Sequence, residues 1–273
     1  MPDFEFLIIT DIRQVTSQAS EHWREHPSRC RGWKIPGSSR DYTAARLSEP
    51  WIPRSQWRSR IAAIEGIRLD RSCRYPAADQ NGLGYCWCYG SARAFQVERT
   101  RLGLPPLDLC PESVGGPCTG WRNEGGYASE ALRQMERFGI CETGYTVNPH
   151  RLQPSTWNPG WPQNALCHEA HAWLDLQQTR YPPGLDDLAT QLLKPRPIAL
   201  EIPAWGHLIC ALALIELPQQ THCNATLADG TKLGVLFQNS WGPNWPEPGA
   251  NGYAVLEASL CLGGGAAVPE LVS

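Results

Sequence analysis

The chain has 273 residues, 42% hydrophobic and 19% charged, which suits one compact unit or two closely packed halves rather than a string of domains. A formal charge of -3 and a pI of about 6.2 give no basic footprint for nucleic acid, and no run of about eighteen apolar residues offers a membrane span. Eleven cysteines, without a recognisable signal peptide at MPDFEFLIITDIR, point to a reducing habitat with mostly free thiols, cytoplasmic or virion-associated.

In chain order, residues 1–50 read as an N-terminal arm with one apolar run, Phe4 to Ile9, able to add an edge strand or to meet an assembly partner. Trp51 to Ala78 alternates short apolar pairs with Arg and Pro and reads as extended coil. The first well-marked element begins at Cys86, after Gly82 and Gly84. There Trp87, Ala94, Phe95 and Val97 have roughly helical spacing, and Arg99, Arg101 and Gly103 mark a C-terminus. Further helices are expected over 129–138, stopped by Gly139, and over 185–193, closed by Pro195.

From residue 196 the character changes. Segments 197–202, 207–217, 234–238 and 252–257 are short, apolar and separated by turns such as Asp229-Gly230, and they read as strands. Helices first and strands second predict an α+β protein in two packed parts, 51–195 and 196–262, with a cleft between them. The last residues, 263–273, read as a loose tail.

The chemistry concentrates at three places. Cys86 stands at a helix N-terminus, where the helix dipole and a neighbouring imidazolium would pull a thiol from ~8.5 to as low as ~3–4. His207 heads an apolar strand, and Asn239 closes another in the run Gln238-Asn239-Ser240-Trp241-Gly242. An imidazole needs a partner that fixes its ring, which Asn239 can be while Trp241 shields the bond. A lone Cys, His or Asn is more often structural than catalytic; the three in this order carry more weight. His168 and His171 form an HxxH pair with no accompanying metal motif, so no metal or other cofactor is expected.

These segments resemble the papain-like cysteine peptidase family, as a divergent member of bacterial or bacteriophage type. Gln80, six residues before Cys86, matches the oxyanion-hole glutamine, Trp87 follows the nucleophile as in that family, and the His and Asn-Ser-Trp-Gly segments match in order. The separations of His207 and Asn239 from Cys86 lie close to the ~130–150 expected. Gly125-Gly126-Tyr127 resembles the strip that pairs with an extended peptide substrate, the bland alternative being a turn before a helix.

The resemblance implies a two-lobed papain-like fold: a helical left lobe carrying the nucleophile helix and an antiparallel, β-barrel-like right lobe. It implies Cys86, His207, Asn239 and Gln80 as catalytic residues, and Gly125, Gly126, Tyr127 and Trp241 at the substrate. The reaction implied is hydrolysis of peptide or amide bonds through a Cys86 thioester, with a peptide or protein as substrate and no nucleic-acid or membrane partner. A papain-like module kept as a structural or binding part of a bacterial or phage assembly is the other reading. Leu83 and Asn123 stand where the family has a disulfide, a Cys110–Cys167 bridge stays open, and the link before His207 is short. No counterpart of the family's inhibitory propeptide is legible before Trp51.

Overall fold

The computed structural model describes residues 6–11, 13, 45–46, 49–61, 70, 75–80, 82–143, 171–175 and 184–271, with 45–46 and 171–175 as backbone only. In chain order the elements are β1 (Ile8–Ile9), β2 (Ala45–Arg46), α1 (Trp57–Ile61), α2 (Cys86–Arg101), α3 (Glu112–Thr119), α4 (Ala128–Phe138), β3 (His171–Asp175), α5 (Leu185–Leu192), β4 (Ile198–Ile202), β5 (His207–Glu216), β6 (Leu233–Gln238), β7 (Tyr253–Glu257) and β8 (Ala266–Leu271). The eight strands form one sheet in the order β1-β7-β6-β5-β4-β8-β3-β2. Its pairings are antiparallel except at the two edges, where β1 joins β7 and β2 joins β3 in parallel. The class is α+β as expected, its strands forming one open, mostly antiparallel sheet.

Side-chain alternation along β5 explains how one sheet serves two cores. Leu208, Cys210 and Leu212 face the core built with α2, α3 and α4, while Ile209, Ala211 and Leu214 face the core built with α1 and α5. The alternation slips once, where Leu212 and Ala213 both face the helical side. At that point the β5–β6 register shifts, the mark of a β-bulge.

α2 lies across β5 and also touches β4 and β8. It is buried on every side from Cys86 to Arg99, more than its apolar spacing predicts. Its polar residues are therefore partnered. Arg93 makes a fork with buried Asp70, Nε to Oδ1 at 2.7 Å, Gln96 donates to the Leu107 carbonyl at 2.8 Å, and Glu98 pairs with Arg101 at 2.6 Å.

Two expectations are corrected. The tail is no loose end: Ala266–Leu271 forms β8, hydrogen-bonded between β4 and β3, and Val268 is buried. Residues Arg54–Gln56 and Trp57–Ile61 form a 3-10 turn and α1 where coil was expected. Trp57 anchors them, buried, with its indole N–H on the Ile52 carbonyl at 2.8 Å and the Arg54 guanidinium over its ring. Cys110 is a free thiol donating to Glu112 at 3.2 Å, and Cys167 lies outside the described residues. The arm agrees with its reading as an edge strand, because Ile9 is fully buried and Phe6 packs edge-on against Tyr253. Among the described residues no helix is long and apolar enough to cross a membrane.

Candidate active site

Cys86 is the first residue of α2, at the positive end of the helix dipole. Gly90, one turn later on the same helix face, is why the helix sits so close to β5. A Cβ there would come within 2.3 Å of Leu208 and 3.1 Å of the Ile209 main chain. Gly90 thus sets α2 against Leu208 and Ile209 of β5, the strand that His207 opens. The side chains of Cys86 and His207 are fully buried.

The loop before Cys86 is tied down from two directions. Gln80 donates from its backbone N–H to the Ser240 carbonyl at 3.0 Å, accepts from the Ser240 hydroxyl at 2.7 Å, and gives one amide N–H to the Leu83 carbonyl at 2.7 Å. Asn123 accepts from the Gly84 N–H at 2.7 Å and donates to the Gly82 carbonyl at 3.1 Å, bracketing Leu83. The place where the resembled family has a disulfide is thus held here by a side-chain amide. Tyr85, just before Cys86, is buried, with its hydroxyl donating to the Arg122 carbonyl at 2.8 Å and meeting Thr119 Oγ1 at 2.7 Å. Trp87 turns back to the Gly84 carbonyl at 2.9 Å.

His207 Nε2 lies 2.7 Å from Asn239 Oδ1. The same Oδ1 accepts the Ser240 backbone N–H at 2.8 Å, a group that can only donate. The atom is therefore the amide oxygen, and His207 must carry its proton on Nε2. Nδ1 is left with a lone pair, buried and without a hydrogen-bond partner among the described residues. Burial pushes the His207 imidazolium down to about 4, with the Asn239 bond acting in the opposite direction, so at neutral pH the ring is a neutral base.

Aromatic rings enclose this pair. The ring centres of His207 and Trp241 are 5.1 Å apart, and Trp245 meets Trp241 edge-on at 5.2 Å. Trp205 was not singled out in the sequence, yet its ring lies 5.0 Å from His207. The only local signal was a Trp two residues before a His in a short link.

Gly125 lies beside the loop that precedes Cys86, since a Cβ on Gly84 would be 3.3 Å from the Gly125 nitrogen. Gly126 also has a packing reason, since its Cβ would fall 2.4 Å from the Trp87 ring. His168 and the side chain of His171 lie outside the described residues. Among those described no group of three His, Cys, Asp or Glu could hold a metal ion.

No protein-family profile and no curated protein sequence matches the chain. Solved structures do. A digestive procathepsin L 3 from Tenebrio molitor larval midgut superposes with a TM-score of 0.56 at 14% identity, over 95% of this chain and 90% of its own. A recombinant stem bromelain precursor gives 0.55 at 14%, over 96% and 91%. Xylellain, a cysteine protease from Xylella fastidiosa, gives 0.52 at 15%, over 90% and 97%. The chain has the papain-like fold.

Proposed function

We propose that the protein is a cysteine-type peptidase or amidase that cleaves peptide or amide bonds through a Cys86 thioester. The observation that carries this reading is the His207–Asn239 pair. Its amide orientation is pinned by the Ser240 N–H, which leaves Nδ1 as the only basic position on a buried ring. His207 Nδ1 takes the Cys86 thiol proton as sulfur attacks the substrate carbonyl. The Cys86 backbone N–H and the Gln80 side-chain amide would donate to the developing oxyanion, the role the papain-like resemblance implies for them. His207 returns the proton to the leaving amine, and water, activated by the same nitrogen, hydrolyses the thioester. Gly125, Gly126 and Tyr127 would line up an extended peptide beside Gly84, with Trp241 covering the His207–Asn239 bond. No cofactor enters any step.

The test is turnover of a library of fluorogenic peptide amides with mass spectrometry of the quenched enzyme. The reading expects cleavage and an acyl adduct on Cys86, both absent from Cys86→Ala. Cleavage that survives Cys86→Ala would overturn it.

One observation favours the second reading, a papain-like module serving as a structural or binding part of an assembly. Cys86 and His207 are both wholly out of contact with solvent, so a substrate must displace something to reach them. No cleavage together with an unreactive Cys86 would select this reading.

A further inference from the structure

The link between β4 and β5 is four residues long, because Ile202 and His207 face each other across the two strands. Pro203–Trp205 forms a 3-10 turn, and Gly206 ends it in the left-handed conformation at φ 62°, its N–H on the Pro203 carbonyl at 3.1 Å. Pro203 fixes one dihedral and Gly206 supplies the backbone a side-chain-bearing residue resists, so the indole of Trp205 has little freedom to swing away. Phe237 at 6.0 Å backs it edge-on from β6.

The rings of Trp205, Trp241 and His207 make a nearly equilateral triangle, with centres 5.0, 5.1 and 5.2 Å apart. The two indoles stand at 89° to each other, so the imidazole is held in a right-angled corner. Trp205 keeps this place although its buried Nε1 has no hydrogen-bond partner among the described residues. An unsatisfied donor is unfavourable, and a phenyl ring would avoid it, so the flat area of the indole against its neighbours is what the position uses.

We propose that Trp205 is a positioning residue for His207: with Trp241 it forms a rigid aromatic corner that fixes the imidazole plane and keeps water from the Nε2–Asn239 bond. The four-residue link itself is too short to fold over the histidine, and its indole takes that place. The proposal rests on His207 acting as the base of Cys86, but its geometric half, a single fixed tautomer, does not depend on turnover.

The experiment uses the full chain labelled with 15N-histidine, in wild type, Trp205→Phe and Trp205→Leu, with Trp205→Met in place of leucine if that variant does not fold. Long-range 1H–15N spectra report the His207 tautomer, and iodoacetamide labelling at pH 7 reports Cys86 reactivity. Wild type and Trp205→Phe are expected to show only the Nε2–H form. The aliphatic variant should be folded, should show both tautomers or a rapidly exchanging Nε2 proton, and should label Cys86 about tenfold more slowly or worse, with phenylalanine restoring most of the rate. An aliphatic variant with a single tautomer and an unchanged labelling rate would overturn the proposal. If wild-type Cys86 does not label at all while the tautomer still loosens in the aliphatic variant, the positioning role stands and the peptidase reading falls.

Discussion

Replacing His207 by glutamine should remove a pH dependence of folding stability whose size follows from the burial of the ring. The imidazolium is displaced from 6.5 to about 4 in the folded chain, chiefly by desolvation. Between those values the unfolded chain binds a proton that the folded chain does not, so stability rises with pH across the window and is lost as pH falls through it. The whole displacement corresponds to about 3 kcal/mol, of which about 2.5 kcal/mol should be lost between pH 7.5 and pH 4.5. Glutamine can still donate to Asn239 but does not titrate, and the carboxylates are common to both proteins. Urea unfolding at half-unit steps from pH 4.5 to 7.5 gives the two curves, and their difference isolates His207. Parallel curves would refute the reasoning, since they would mean that His207 titrates in the native state as it does in the unfolded chain.

Asn123→Ala removes both hydrogen bonds that bracket Leu83 and strands the buried Gly84 N–H, so a loss of about 1–3 kcal/mol is expected in urea unfolding. An unchanged midpoint would show that the amide does not replace the missing disulfide. Gly126→Ala drives a methyl group into the Trp87 indole and should cost about 1–3 kcal/mol, with a change in near-UV circular dichroism; full tolerance would leave the glycine to substrate approach alone. Ile9→Ala empties a fully buried site on β1 and should cost about 2–5 kcal/mol, whereas a loss below about 0.5 kcal/mol would mean that the arm is not part of the core.

Sequence alone located the helix at Cys86 and the strands at His207 and before Asn239, because each begins or ends at a short chemical signature beside an apolar run. It did not reveal α3, whose Gly115, Gly116 and Pro117 are poor helix formers. Both glycines are there for tertiary reasons: a Cβ at Gly115 would meet the Tyr85 ring at 2.6 Å, and one at Gly116 the Trp121 ring at 2.6 Å. β8 was hidden in the same way. Its small residues Ala266 and Ala267 suit a strand pressed between neighbours under α2, and Gly264 passes so close to Glu201 that a Cβ would lie 2.2 Å from its carbonyl oxygen. At the site, the chemical groups were legible one by one. The corner around His207 was not, because it depends on Trp205 and Trp241 converging from separate hairpins, which no local pattern encodes.

The central claim, that Cys86 is activated by His207, is tested most directly by the pH profile of Cys86 alkylation with iodoacetamide in wild type, Cys86→Ala and His207→Ala. The account predicts that labelling of Cys86 rises through an apparent value near 4, where the imidazole loses its proton, and is level by neutral pH. His207→Ala should slow it by about a hundredfold or more at pH 6. Labelling that begins only above about pH 8, or that is unchanged in His207→Ala, would mean an ordinary buried thiol and would contradict the account.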